Sequence, residues 1–155
     1  MSVAFRRESD EEHKEPKFEL PLPAGPNLVT ARGLVLIEAK VAELEAVDAA
    51  ALPEAEREEH LRTLRYWRTR QATAQPAPLP PQDEVAFGSR VAFTLNGEKK
   101  QIDIVGDDEA EPSDGRIAFS APLARALIGG YAGERIAFGG KEDAIMIVST
   151  AAIPA

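Results

Sequence analysis

The residues with the most chemical potential in this chain are carboxylates and guanidinium groups, and both are clustered. From Glu43 to Glu59 there are seven acids (Glu43, Glu45, Asp48, Glu54, Glu56, Glu58, Glu59) against the single base Arg57. From His60 to Arg70 there are four bases, Arg62, Arg65, Arg68 and Arg70, and no acid. Hard oxygen donors such as Asp48, Glu54 and Glu56 suit a divalent cation. Planar guanidinium groups suit carboxylates or phosphates. Helix ends and solvated helix faces also use such residues, so both uses stay open. A third group, Asp107-Asp108-Glu109, follows a strand-like run, and three acids are more than a turn requires.

Other chemistries are excluded by composition. The chain has no cysteine, which removes disulfides, thiolate metal sites and thiol nucleophiles. His13 and His60 are the only imidazoles, and their separation matches no metal-ligand spacing. The pairs Gly129-Gly130 and Gly139-Gly140 lack the basic and hydroxyl residues of a phosphate loop and read as turns. With 18 Lys+Arg against 26 Asp+Glu, a net charge of −8 argues against wrapping nucleic acid by bulk charge. No apolar run approaches the ~20 residues that span a bilayer, and no apolar stretch follows Arg6-Arg7, so a soluble, cytoplasmic protein is expected.

The elements that position these groups fall into zones. Residues 1–29 are acidic and proline-rich and read as a flexible tail, in which Phe18, Leu20 and Leu22 could dock on a folded part. Leu34, Ile37, Val41 and Leu44 recur at helical spacing, with Thr30 placed to cap and Gly33 weakening the first turn. A second helix is expected over 53–74, opened by Pro53, with Leu61, Leu64 and Trp67 as its apolar positions. Residues 30–74 thus read as an antiparallel helical hairpin, a short coiled coil with an acidic tip and a basic stem. Four prolines in residues 75–84 make a linker and a domain boundary. Residues 85–150 carry strand periodicity: Val85 to Leu95, the turn Asn96-Gly97, Gln101–Val105, Arg116–Phe119, a helix over 122–128, then Arg135–Phe138 and Ala144–Val148. That is a compact α+β domain, followed by a short tail at 151–155.

Several stretches of the second domain resemble the C-terminal domain of the bacterial GreA/GreB transcription elongation factors. They are Val85-Ala-Phe-Gly-Ser89, Asp103-Ile-Val-Gly-Asp-Asp-Glu-Ala110, Gly115-Arg-Ile-Ala-Phe-Ser120 and Pro122-Leu-Ala-Arg-Ala-Leu-Ile-Gly129, in family order and spacing. Val29-Thr-Ala-Arg-Gly-Leu34 and Leu64-Arg-Tyr-Trp67 are similar to parts of the family's coiled coil, closest to its GreB-like branch. The likeness spans residues 27–150.

The resemblance implies an FKBP-like C-terminal domain that docks at the rim of the RNA polymerase secondary channel, with the hairpin entering the channel. It implies no cofactor of the chain's own: tip carboxylates would share Mg²⁺ only within the polymerase active centre, and nucleic acid would be met only through the polymerase complex. It also implies a monomer without a self-contained active site. The docking surface expected is Asp107, Asp108 and Glu109 beside Ser120, Pro122 and Leu123, with Ser120 or position 121 also placed to cap the helix. The family's tip motif, Asp-x-x-Glu-Asn, is missing, because the only asparagines are Asn27 and Asn96. Asp48, Glu54 and Glu56 are the remaining tip candidates. At 1.5 Å rise, 18 to 22 residues per helix would extend about 25–30 Å. Two rivals stay open: a non-cleaving channel binder, or a relative of the regulator of nucleoside diphosphate kinase, which shares the plan. A prolyl isomerase is the enzyme-class alternative, and the few aromatics here argue against its apolar pocket.

Overall fold

A computed structural model of the chain describes residues 19–155. The expectations for the tail up to Phe18 lie outside the described residues. The architecture is mixed α+β: a helix pair with a two-stranded ribbon at its base, and a five-stranded sheet with one short helix.

Strand β1 (Leu28–Val29) leads directly into α1 (Ala31–Glu45). Thr30 caps α1, its Oγ1 accepting the Gly33 N–H at 2.9 Å, as Ser/Thr caps do for an orphan donor of a first turn. The buried stripe of α1 is Gly33, Ile37 and Val41, spaced four apart, whereas Leu34 and Leu44 of the expected stripe are half-buried. Helix α2 (Glu54–Thr73) begins after Pro53 and places Glu54 and Glu56 in its first turn, beside the positive end of the helix dipole. The two helices pack on each other. Lys40 lies over the Trp67 ring at 6.0 Å, and Arg68 pairs with Glu45 at 3.0 Å.

The face of α2 departs from the expected one. Leu61 is 37% exposed, and the fully buried residues of the helix are Leu64 and a cation, Arg70. The proline-rich stretch is also not a free linker at its start. Strand β2 (Gln75–Pro76) pairs parallel with β1, Leu28 opposite Gln75, so the chain entering α1 and the chain leaving α2 are tied at one end.

In the sheet, β3 (Ser89–Leu95) turns through Asn96 (φ 52°) and Gly97 (φ 85°) into β4 (Glu98–Val105). Positive φ at both residues is what a two-residue turn matching strand twist demands, and Asn-Gly meets it at low cost. After β5 (Arg116–Ala118), α3 (Pro122–Leu127), β6 (Arg135–Phe138) and β7 (Lys141–Ala152), the strand order is β5-β4-β3-β7-β6, with only β4–β5 parallel. The core centres on Val91, Phe93, Ile104, Leu127, Ile145 and Ile147. Fully burying each large member contributes about 1.5–3 kcal/mol. Val85, expected at the start of a strand, lies outside the strands and is fully buried. Its N–H donates to Gly130 O and its carbonyl accepts from Gly129 N–H, bracing the end of α3. The loop 106–110 leaves the end of β4, one strand in from the β5 edge, and meets the base of the helix pair.

Candidate functional site

The acidic loop after β4 is where the two parts of the molecule join. Asp108 accepts the Tyr66 phenol on Oδ1 and Arg70 Nε on Oδ2, both at 2.5 Å, and the side chains of the ion pair are 4% and 7% exposed. Arg70 Nη2 also donates to Asn27 Oδ1 at 2.8 Å. Asn27 Nδ2 in turn donates to the Arg70 carbonyl and to Thr73 Oγ1. Glu109, itself buried, accepts Thr30 Oγ1 at 2.6 Å on Oε1 and Arg32 Nη1 at 3.0 Å on Oε2. Thr30 therefore caps α1 and holds Glu109 with one hydroxyl. Charges out of water need such partners, since an unpaired buried charge costs several kcal/mol. Burial first, and then the bond to the Asp108 carboxylate, push the Tyr66 phenol well above its ordinary range.

Two glycines make this approach possible. A Cβ at Gly33 would stand 2.8 Å from Glu109 Oε1, and one at Gly106 would collide with the backbone carbonyl of Leu28. The apparent weakness of Gly33 in the first turn of α1 is thus the space through which Glu109 reaches Thr30.

These contacts correct the expected docking surface. Asp108 and Glu109 face inward, because the helix base offers a buried arginine, a phenol and a hydroxyl that solvent does not. Arg70 likewise is no solvated stem residue. Asp107 is left at the surface, where it accepts Ser120 Oγ at 2.8 Å. Ser120 consequently does not cap α3; Ala121 holds the cap position without a side-chain bond, and Pro122 occupies the first turn. Pro122 is exposed, while Leu123 is half-buried against the sheet core. The half-buried Asp107 of the loop after β4 is thus tied to the exposed Ser120 and Pro122 of the turn before α3, with Leu123 anchoring that turn.

The other predicted groups lie apart. Asp48, Glu54 and Glu56 are exposed at the connection between α1 and α2, with Asp48 opening a 3₁₀ turn (Ala49–Ala51). Among the described residues no three His, Asp or Glu side chains converge to hold a metal ion. Arg65 is exposed and forks onto Glu19 at 2.7 and 2.8 Å, which ties Glu19 to α2; Leu20 and Leu22 are exposed. Arg62 is half-buried on the same helix. The roles of Asn27, Arg32 and Tyr66, and the bond from Thr30 to Glu109, escaped sequence reasoning. The surplus of acids in the loop was the only signal of them, and it pointed outward.

Residues 80–149 match the family described as transcription elongation factor, GreA/GreB, C-term. The chain is 48% identical over 56 residues to the transcription elongation factor GreA of Mesorhizobium japonicum, covering 35% of this chain and 36% of that protein. It is 45% identical over 65 residues to the GreA of Vibrio parahaemolyticus, covering 39% of this chain and 41% of that protein. The matches thus span well under half the length of these curated relatives. The solved structure of a prokaryotic transcription elongation factor GreA/GreB from Nitrosomonas europaea covers 83% of this chain and 99% of its own, at 20% identity and a TM-score of 0.40. In sequence, residues 80–149 of this chain are thus similar to the GreA/GreB C-terminal domain.

Proposed function

We propose that this chain is a Gre-type transcription elongation factor. On this reading it binds RNA polymerase at the secondary channel through residues 85–150, an FKBP-like domain, and presents the helix pair as a short hairpin inside the channel. The observation that supports it is the family match over 80–149, together with relatives that bear the name of elongation factors. The docking patch is the exposed turn of Ser120 and Pro122 on its Leu123 anchor, together with Asp107, which accepts the Ser120 hydroxyl. Nucleic acid is reached only through the polymerase, the protein acts as a monomer in the cytoplasm, and it has no active site of its own.

A second reading, a channel binder that modulates transcription without stimulating cleavage, is favoured by the tip. The helices have 15 and 20 residues, about 22 and 30 Å at 1.5 Å rise. Asp48, Glu54 and Glu56 are separately exposed there rather than gathered. One assay separates the readings. Purified protein is added to backtracked elongation complexes, and release of short 3′ RNA fragments is followed. Release that is abolished by Asp48→Ala, Glu54→Ala and Glu56→Ala together assigns cleavage to the tip carboxylates. Slowed elongation without release assigns modulation. Absence of polymerase binding, tested by pull-down, rejects both.

A further inference from the structure

We infer that Asp108 is a positioning residue that sets the direction in which the helix pair leaves the sheet domain, an inference that rests on the channel-insertion reading above. Among the described residues, the side-chain hydrogen bonds that cross between the two parts end on two carboxylates, Asp108 and Glu109. Intrachain joints default to relative motion unless something pins them. The pin here is directional. Asp108 is held from two sides by groups one turn apart on α2, Tyr66 and Arg70, and a carboxylate so gripped by a phenol and a guanidinium fixes rotation as well as distance. Arg70 then passes the constraint to Asn27, just before β1, and Asn27 bonds back to the α2 backbone. One buried chain of bonds therefore joins the loop after β4, the last turns of α2 and the entry to α1.

Geometry of this kind matters for a protein whose working end lies at the far end of helices about four to five and a half turns long. A small rotation at the joint is multiplied along the helices, and a misplacement of about 1 Å at a reacting centre can cost on the order of 100-fold. Buried ion pairs are poor stabilisers relative to apolar replacements, and their best-attested use is to specify one arrangement among several.

The test exploits the lack of cysteine. Ala50→Cys, at the helix connection, and Ala137→Cys, on the exposed face of β6, take two spin labels with no competing thiol, and the inter-label distance distribution is read by pulsed electron resonance on the full chain. The parent should give one narrow distribution. Asp108→Asn, and the apolar pair Arg70→Met with Asp108→Leu, should broaden or shift it. Should Asp108→Asn fail to melt cooperatively, the apolar pair, which leaves no buried charge unpaired, carries the test, with Tyr66→Phe as the mildest member of the series. In elongation assays at saturating protein, the apolar pair should keep polymerase capture while its effect on the transcript falls about 10- to 100-fold. Cooperatively melting variants that keep the parental distance distribution overturn the inference. A parent that fails to capture polymerase overturns the proposed function instead, and leaves the distance result standing.

Discussion

Gly33→Ala is a change whose sign depends on one neighbour. Gly33 sits in the first turn of α1 with helical φ, and in an open helix the substitution would stabilise by up to about 1 kcal/mol through propensity. Here the new methyl would lie 2.8 Å from Glu109 Oε1 and 3.3 Å from Thr30 Oγ1. Glu109 has no room to swing away cheaply, because its carboxylate is buried and held by Thr30 and Arg32. Pushing it aside weakens a hydrogen bond to a charged group, about 1.5–3 kcal/mol. It also weakens an ion pair whose arginine is 55% exposed, about 0.2–1 kcal/mol. The loss exceeds the propensity gain, and the net effect is a destabilisation of about 1–3 kcal/mol. For a chain of this length that lowers the thermal midpoint by roughly 2–12 °C. In a Glu109→Ala background the clash disappears, and the same Gly33→Ala should become neutral or stabilising. Urea unfolding of the four members of the cycle measures both numbers. Equal effects of Gly33→Ala in the two backgrounds, or stabilisation in the parent, would refute the steric account.

Further outcomes follow from the same joint and its surroundings. Gly106→Ala should cost more than Gly33→Ala and resist rescue by any side-chain change, because the obstacle is the Leu28 carbonyl; urea midpoints rank the two. In a Tyr131→Phe background Tyr66 is the sole tyrosine, and its alkaline absorbance titration should fall well above the ordinary 10.0. Because the folded phenol holds its proton more tightly than the unfolded one, this linkage is fully present below pH ~10 and is lost as pH rises from there; denaturant midpoints between pH 9 and 11 on Tyr66→Phe and its parent isolate the effect. Arg65→Ala, which breaks the exposed pair with Glu19, should leave the thermal midpoint unchanged. Ser120→Ala should leave the helicity of α3 intact, since Ser120 bonds Asp107 rather than the helix start, and circular dichroism reads that directly.

Local rules carried the elements. The Thr30 cap, the start of α2 after Pro53, the Asn96-Gly97 turn and the helix at Pro122 each depend on neighbours within a few residues, and the sequence alone placed them close to where they stand. So did the family resemblance over the second domain, because it rests on ordered local stretches. What local rules could not decide is which way a charged side chain faces. Arg70 belongs to a run of four arginines that looks uniformly solvated, and Asp108 and Glu109 look like surplus surface acid. Their burial follows from the meeting of segments some 40 and 80 residues apart, Tyr66 and Arg70 with Asp108, Thr30 and Arg32 with Glu109. The sequence determined that the loop after β4 is more acidic than a turn requires. Only the tertiary structure decided that two of those acids are internal fasteners and one remains for the surface, since a buried charge is tolerable solely where its partners from elsewhere in the chain are already in place.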